Sequence, residues 1–365
     1  MRPWRGNSTD GKRTVNSRER MLAVMNRQTP DRVPTDIWIV PEARRKLQEH
    51  FGRGADIDAM LHIDGFGSAE PEYIGPGLPA TGPGETVNYW GIRTKKMDYG
   101  CGEYDEISYS PLADAATIDD LEAYRWPRAE WFDFSHLAER LRKCHEDKAT
   151  LCGYMAPFTY HAYLRGLENA LTDPLLNPEF AEHLLRRLCD FFHEYHRRMF
   201  EAGEGLIDAA QVTDDYGMQT GPLMSLEVFR RFYKPHLERF CDLTHEFGAK
   251  VFHHDDGAMR DFIPDLIEAG IDILNPIQWR CPGMEMAGLK RDFGNRLVFH
   301  GGIDNQRTLP FGSASDVRAE VRRAIDALAC DGTGYILAPC HNIQANTPVE
   351  NIIAMYDEAY QYGRF

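Results

Sequence analysis

The sequence predicts an α/β fold: a (β/α)8 barrel of the TIM type with an irregular or hairpin segment inserted near residues 65–110. Three observations predict it. Short apolar runs alternate with amphipathic helical stretches through about eight strand–helix steps. Nearly every run in the second half ends in polar side chains capable of chemistry, as strands opening on one central mouth would. No Gly-rich phosphate-binding fingerprint follows the first strand, which counts against the competing doubly wound open sheet.

Residues 1–16 are basic and lack an apolar core, so they are expected to form a flexible arm rather than a secretory signal. The barrel domain is expected over 17–365. Residues 17–27 predict a helix with Met21, Leu22 and Met25 on one side, broken by Pro30. Residues 33–38 predict the first strand, 41–51 a charged amphipathic helix, and 61–64 a second strand with Asp64 at its tip. Residues 65–110 are dense in Gly, Pro and aromatic residues. Within them 87–95 and 104–109 could be two arms of a hairpin, serving as an active-site lid or as a plain surface excursion. A short helix is expected at 119–126.

From Leu151 the alternation becomes regular. Strands are expected at 151–155, 206–212, 250–252, 271–274, 296–299 and 335–337. Helices are expected at 164–171, 178–202, 226–247, 317–328 and 348–362, with a further one around Phe262, Leu266 and Ile267 that Gly270 closes. No internal repeat or low-complexity tract is evident.

The chain has 365 residues, 43% of them hydrophobic, enough to bury a full core. Its formal charge of -15 argues against a nucleic-acid backbone or an anionic membrane as main partner. Eight cysteines are scattered with no CxxC pair, which fits a reducing, cytoplasmic location. No apolar run approaches the roughly 20 residues of a membrane span. A homodimer is left open.

The residues that could carry chemistry are the strand tips: Asp64; Asp214, Asp215 and Tyr216; His253, His254, Asp255 and Asp256; Asn275 and Gln278; His300 and Asp304; Cys340, His341 and Gln344. In extended backbone residues i and i+2 face one way. His254 and Asp256 can therefore face one point together, as can His253 and Asp255. His, Asp and Cys are zinc ligands, and a catalytic zinc takes three protein ligands and an open position. His341 or Cys340 would supply the third. Asp214 and Asp215 are candidates for acid–base work; being adjacent they point apart, so one of them is expected to anchor backbone. Plainer roles compete. The HHDDG stretch can be a turn with Asp256 capping the next helix, Cys340 can be an ordinary buried cysteine, and His300 can simply line the pocket.

Several stretches resemble the uroporphyrinogen decarboxylase superfamily: RERMLAVMNRQTPDRVP, VFHHDDGAMRDFIPDLIEAGIDILNPIQ, FHGGIDNQRTLPFGSASDVRAEV and GYILAPCHNIQANTPVENIIAMY. The resemblance covers most of the chain and implies a (β/α)8 barrel. The true decarboxylases carry Arg-Gln-Ala-Gly-Arg after the first strand to hold porphyrinogen carboxylates. Here that place reads DIWIVPEARRKLQEHFG, with Arg44 and Arg45 but without the motif.

The chain is more similar to the corrinoid-linked methyltransferase branch. Some members of that branch bind zinc through His-x-Cys and a later Cys set before Thr-Pro-x-Glu-Asn. The resemblance implies His254 and Asp256 for the first pair and His341 for the later cysteine, with Cys340 one residue off. It implies a demethylating methyltransferase that takes a methyl group from a small methoxylated or methylated substrate. No Asp-x-His-x-x-Gly motif is present, so the corrinoid would come from a partner protein. Tyr216, His253, Asn275, Gln278, His300, Asp304 and Gln344 would line the substrate site with Asp64, and Asp214, Asp215, His254 and Asp256 would serve catalysis. The alternative is a cofactor-free decarboxylase of a small aromatic or pyrrolic acid, using Asp214, Asp215 or Asp64 as proton donor. A non-enzymatic binding protein on an inherited barrel is the third possibility.

Overall fold

The computed structural model describes residues 15–98, 100 and 102–365. The N-terminal arm expected over 1–16 therefore lies outside the described residues, except at its end. There Asn16 caps the first helix, α1 (Ser17–Met25), in a reciprocal pair with Glu19 that satisfies two backbone donors.

Seven parallel strands form one sheet in chain order. They are β1 (Phe66–Gly67), β2 (Ala149–Met155), β3 (Ala209–Thr213), β4 (Lys250–His254), β5 (Ile273–Asn275), β6 (Val298–Ile303) and β7 (Tyr335–Pro339). Helices fill the crossovers, among them α2 (Pro157–Arg165), α3 (Pro178–Gly203), α4 (Lys234–Glu246), α5 (Ile263–Ala269) and α6 (Ala314–Leu328), with α7 (Val349–Tyr362) closing the chain. Parallel strands need such connections, and their two covered faces explain the nearly continuous burial of β4, β6 and β7.

The sheet is curled. Ala149, Ala209, Phe252, Ile273, Val298 and Ile336, one from each of β2 to β7, meet in a single apolar cluster. In a flat sheet, at about 4.8 Å per strand, β2 and β7 would stand roughly 24 Å apart. The side chains of Met21, Val24 and Met25 on α1 complete this cluster. Backbone and side-chain bonds from Arg18 to Asp147 and from Arg27 to Gly294 set α1 against the N-terminal ends of the strands. The opposite, C-terminal ends are left for the site.

Two expected strands are corrected. Residues 33–38 form only isolated parallel bridges to the region of β7, Thr35 with Leu337 and Ile39 with Ile343. Pro34 has no N–H to donate, so the ladder cannot run unbroken. On its other side the Thr35 carbonyl accepts from the amides of Asp64 and Gly65, each at 3.0 Å. Residues 61–64 are a helix exit and turn rather than a strand, with His62 in the left-handed region at φ 57°. Leu61 and Ile63 are apolar because they are buried, not because they are extended. The strand begins two residues later, at Phe66.

Asp64 is corrected as well. It does not stand free at a strand tip. It is fully buried and accepts from Arg20 Nη1 at 2.6 Å, from Arg32 at 2.9 Å and from the Thr35 amide at 3.0 Å. These bonds tie α1 and residues 32–35 to the start of β1.

The insertion is ordered. Glu85–Val87, Arg93–Asp98 and Glu103–Tyr109 form a three-stranded antiparallel sheet. The expected arm over 87–95 is interrupted because the Asn88 side chain accepts from the Trp90 and Ile92 amides and turns the chain. All seven cysteines among the described residues are free. No helix among the described residues is long and apolar enough to cross a membrane.

Removing Asp64 takes the shared carboxylate from two buried guanidinium groups and leaves Arg32 with main-chain acceptors alone, while Arg20 keeps Asp31. Asp64→Ala is expected to lower unfolding free energy by about 3–5 kcal/mol, read from urea denaturation. A loss under about 1 kcal/mol together with lost ligand binding would return Asp64 to the site.

Candidate functional site

The site is built on the last rungs of three adjacent strands. Thr213, His254 and Asn275 lie in register at the C-terminal ends of β3, β4 and β5. Along β4 the alternation of side chains decides which histidine faces inward. Phe252 belongs to the inner cluster, so His254, two residues on, shares its side. His253 faces outward, fully buried, with its ring stacked on Tyr216 at 6.2 Å and neither nitrogen bonded among the described residues. Burial, with the charge of neighbouring His254 adding to it, pushes His253 down to about 3, so it is a neutral ring although Asp255 Oδ2 lies 3.8 Å from Nε2.

His254, Asp256 and His341 converge. One ligand atom from each lies within 4.8 Å of the others, and His341 Nε2 stands 3.9 Å from Asp256 Oδ2. Two imidazole nitrogens and a carboxylate oxygen are a donor set that zinc accepts, with a position left over for a ligand. Desolvation raises the Asp256 carboxyl above its usual range, with Asp215 adding to the rise and the two histidines opposing it. Asp215 lies at the rim, half-exposed, with Oδ1 4.0 Å from His254 Nε2 and accepting from the Asp256 amide at 2.9 Å.

Behind His254 runs a chain of side chains. Asp36 Oδ2 accepts from Trp38 Nε1 at 3.2 Å and lies 3.0 Å from His300 Nε2. His300 Nδ1 is 2.6 Å from Asn275 Nδ2, and Asn275 Oδ1 is 2.6 Å from His254 Nδ1. A carboxylate only accepts, so a neutral His300 donates from Nε2 and accepts at Nδ1. Asn275 then donates to His300 and accepts from His254. This network assigns the proton of His254 to Nδ1 and leaves the Nε2 lone pair facing Asp256 and His341. Trp38 covers the group, stacked on His254 at 5.2 Å and edge-on to His341 at 6.4 Å.

The other expected site residues lie elsewhere. Asp214 is fully buried and accepts from the Phe158 and Thr159 amides at the N-terminus of α2 and from the Tyr216 hydroxyl. It anchors backbone, while Asp215 turns to the mouth. Asp255 accepts from the Tyr216 and Gly217 amides and fixes the loop after β3. Burial raises its carboxyl well above the usual range. Tyr216 is buried with its hydroxyl on Asp214, so it is not exposed to a ligand. Cys340 is corrected too: it is buried, its thiol 3.2 Å from the Ile277 carbonyl, and it is not part of the convergent donors. Asp304 pairs with Arg280 and accepts from the Gln306, Arg307 and Thr308 amides, which makes it a local cap. Gln278 is buried, and Gln344 folds onto the Asn342 carbonyl at 2.9 Å.

Asp36 and Trp38 were not among the expected site residues. Their i, i+2 spacing in the first extended segment was the available signal. A cavity of about 550 Å³ beside the site was also unforeseen. It is bounded by Leu151 and Gln211 of β2 and β3, and Gln211 donates to Thr213, the register neighbour of His254.

The geometry defines a class: a parallel α/β protein with a polar donor group at the C-terminal edge of a curled sheet. The sequence profile of the family described as Uroporphyrinogen decarboxylase (URO-D) matches residues 95–362, and the chain belongs to that family. The family's members are enzymes of decarboxylase or methyltransferase type. The chain is 24% identical over 262 residues to a uroporphyrinogen decarboxylase from Microcystis aeruginosa, covering 70% of each. It is likewise 24% identical over 221 residues to a methylated-thiol–coenzyme M methyltransferase from Methanosarcina mazei, covering 59% of this chain and 54% of the relative. Among solved structures, a methyltransferase from Methanosarcina mazei superimposes with a TM-score of 0.69 at 18% identity, over 96% of this chain and 99% of that one. That likeness shows the fold.

Burial of Asp214 outweighs its three donors and raises its carboxyl to about 7. In the unfolded chain it titrates near 3.9. The folded protein therefore holds the extra proton between about pH 4 and 7, and stability falls as pH rises through that window. Carboxyl ¹³C titration is expected to place Asp214 near neutrality; a midpoint below about 5 would show that the donors prevail over desolvation.

Proposed function

We propose that this protein is the demethylating methyltransferase of a corrinoid-dependent system. It takes a methyl group from a small methoxylated or methylated substrate and passes it to a corrinoid carried by a partner protein. The observation that carries the reading is the convergence of His254, Asp256 and His341, the positions at which the methyltransferase branch is expected to hold zinc. In this reading residues 33–39 take the eighth place between β7 and β1, and the sheet is a closed (β/α)8 barrel.

The donor set fits zinc, being two imidazole nitrogens and a carboxylate oxygen with room for one more ligand. When bound there, the ion supplies Lewis acidity to the methyl-bearing heteroatom of the substrate. The chain's own residues do the rest. Asp36, His300 and Asn275 hold His254 in the tautomer whose Nε2 can donate its lone pair. Trp38 screens one side of the group from water. Asp215, at the open rim, is placed to exchange a proton with the heteroatom once the methyl group has left.

A carboxy-lyase reading has less support. A porphyrinogen with many carboxylates needs a cluster of cations. Arg44 is committed to Asp58 at 2.8 Å, and Arg45 is exposed on the same helix. Asp214, whose carboxyl is raised to about 7, is enclosed by backbone and Tyr216 rather than open to a ligand.

Purified protein is expected to contain stoichiometric zinc, and His254→Ala to abolish methyl transfer to added corrinoid protein. Full transfer by chelator-treated protein would refute the Lewis-acid role. His300→Ala is expected to weaken zinc binding roughly 10–100-fold in competition with a chromophoric chelator. Unchanged affinity would mean that the chain behind His254 serves packing alone.

A further inference from the structure

The cavity beside the donor group has a chemistry of its own. Five tyrosines, Tyr73, Tyr89, Tyr154, Tyr160 and Tyr195, line it together with three phenylalanines and Glu70. Eight of its fourteen lining residues are aromatic, and none is lysine, arginine or histidine. Glu70 is accessible to solvent yet held in place: Oε1 accepts from the Gly153 amide at 3.0 Å and Oε2 from the Tyr195 hydroxyl at 3.3 Å. Ser68 adds a third bond, and since a carboxylate offers about four acceptor directions, one is left for a ligand. Arg140, outside the lining, bonds the Glu70 main-chain carbonyl and acts on its carboxylate only through space.

An aromatic wall presents negative π faces, and here those faces surround one carboxylate with no side-chain counter-ion in the lining. Both features favour a cation, and the weakly hydrated cation that suits π faces is an alkylated ammonium. An anion or a polycarboxylate would meet Glu70 with no cation in the cavity lining to offset it. We infer that this cavity binds a small cation bearing a methylated ammonium group, with Glu70 as counter-charge and the tyrosine rings as its walls.

Electrostatics agree with the geometry. Desolvation lifts the Glu70 carboxyl above its ordinary range, and a cation beside it would draw it back down. Gln211 in the cavity lining donates to Thr213, the register neighbour of His254, so a substrate anchored here by its cationic end would extend along β3 toward the donor group. That second step rests on the proposed methyltransferase function; cation binding itself does not.

The test is isothermal titration of the full chain, after chelator treatment, with choline and with its neutral carbon isostere 3,3-dimethylbutan-1-ol. Choline is expected to bind at least tenfold tighter than the isostere. Glu70→Gln is expected to weaken choline at least fivefold and leave the isostere unchanged. Tyr195→Phe, which keeps the ring, is expected to retain most of the choline affinity, while Tyr160→Leu is expected to reduce it. Unchanged circular dichroism qualifies each variant. Equal binding of choline and the isostere, or choline affinity indifferent to Glu70→Gln, would overturn the inference. Because the metal is removed, choline binding without any methyl transfer in the untreated protein would sink the proposed function alone. Transfer from neutral methyl ethers with no choline binding would sink only this inference.

Discussion

The arrangement depends on the parallel register of β3, β4 and β5. Backbone pairing puts Thr213, His254 and Asn275 on one level, and the two-residue period of β4 sends His254 inward and His253 outward. A slip of one residue would exchange them. It would bring an unpartnered, neutral His253 to the mouth and bury His254 against Tyr216. The apolar cluster around Phe252 holds the register, because moving Phe252 off the inner face would open a void there and crowd the packed outer face.

That register also decides what the polar residues cost. His254, Asn275 and His300 are buried and joined in one chain that ends on Asp36, with only His254 Nε2 left facing the mouth. Such a network is tolerable in a core only when every member is satisfied. The outward network is tied to backbone instead: Asp214 accepts from the Phe158 and Thr159 amides and Asp255 Oδ1 from the Tyr216 and Gly217 amides, while Asp255 Oδ2 has no hydrogen-bond partner among the described residues. One network orients a donor toward the mouth; the other fixes the loop that carries Asp215. Their chemical similarity in sequence conceals this division of roles.

The insertion and the open end of the sheet complete the picture. Tyr73 and Tyr89 come from the insertion, and Tyr154, Tyr160 and Tyr195 from β2, α2 and α3. The cavity is therefore made by the insertion packing against the first half of the sheet. Its aromatic density and single carboxylate contrast with the nitrogen and oxygen donors at His254, so the two regions offer a ligand different chemistry at its two ends.

Much was legible in the linear order. The alternation of short apolar runs with amphipathic stretches predicts the parallel sheet, because burial on both faces imposes that composition locally. The i, i+2 rule pairs His254 with Asp256, because backbone geometry alone sets it. The family resemblance adds His341, 85 positions after Asp256. The same resemblance sets His254 apart from His253, and only the tertiary structure separated Asp215 from Asp214, because facing depends on which side of the strand meets the core. Only it reassigned Asp64 and Cys340, whose partners Arg20, Arg32 and the Ile277 carbonyl lie far away in sequence. It alone joined Asp36 to His300 across 264 positions, since contacts between distant strands leave no local trace in composition or spacing.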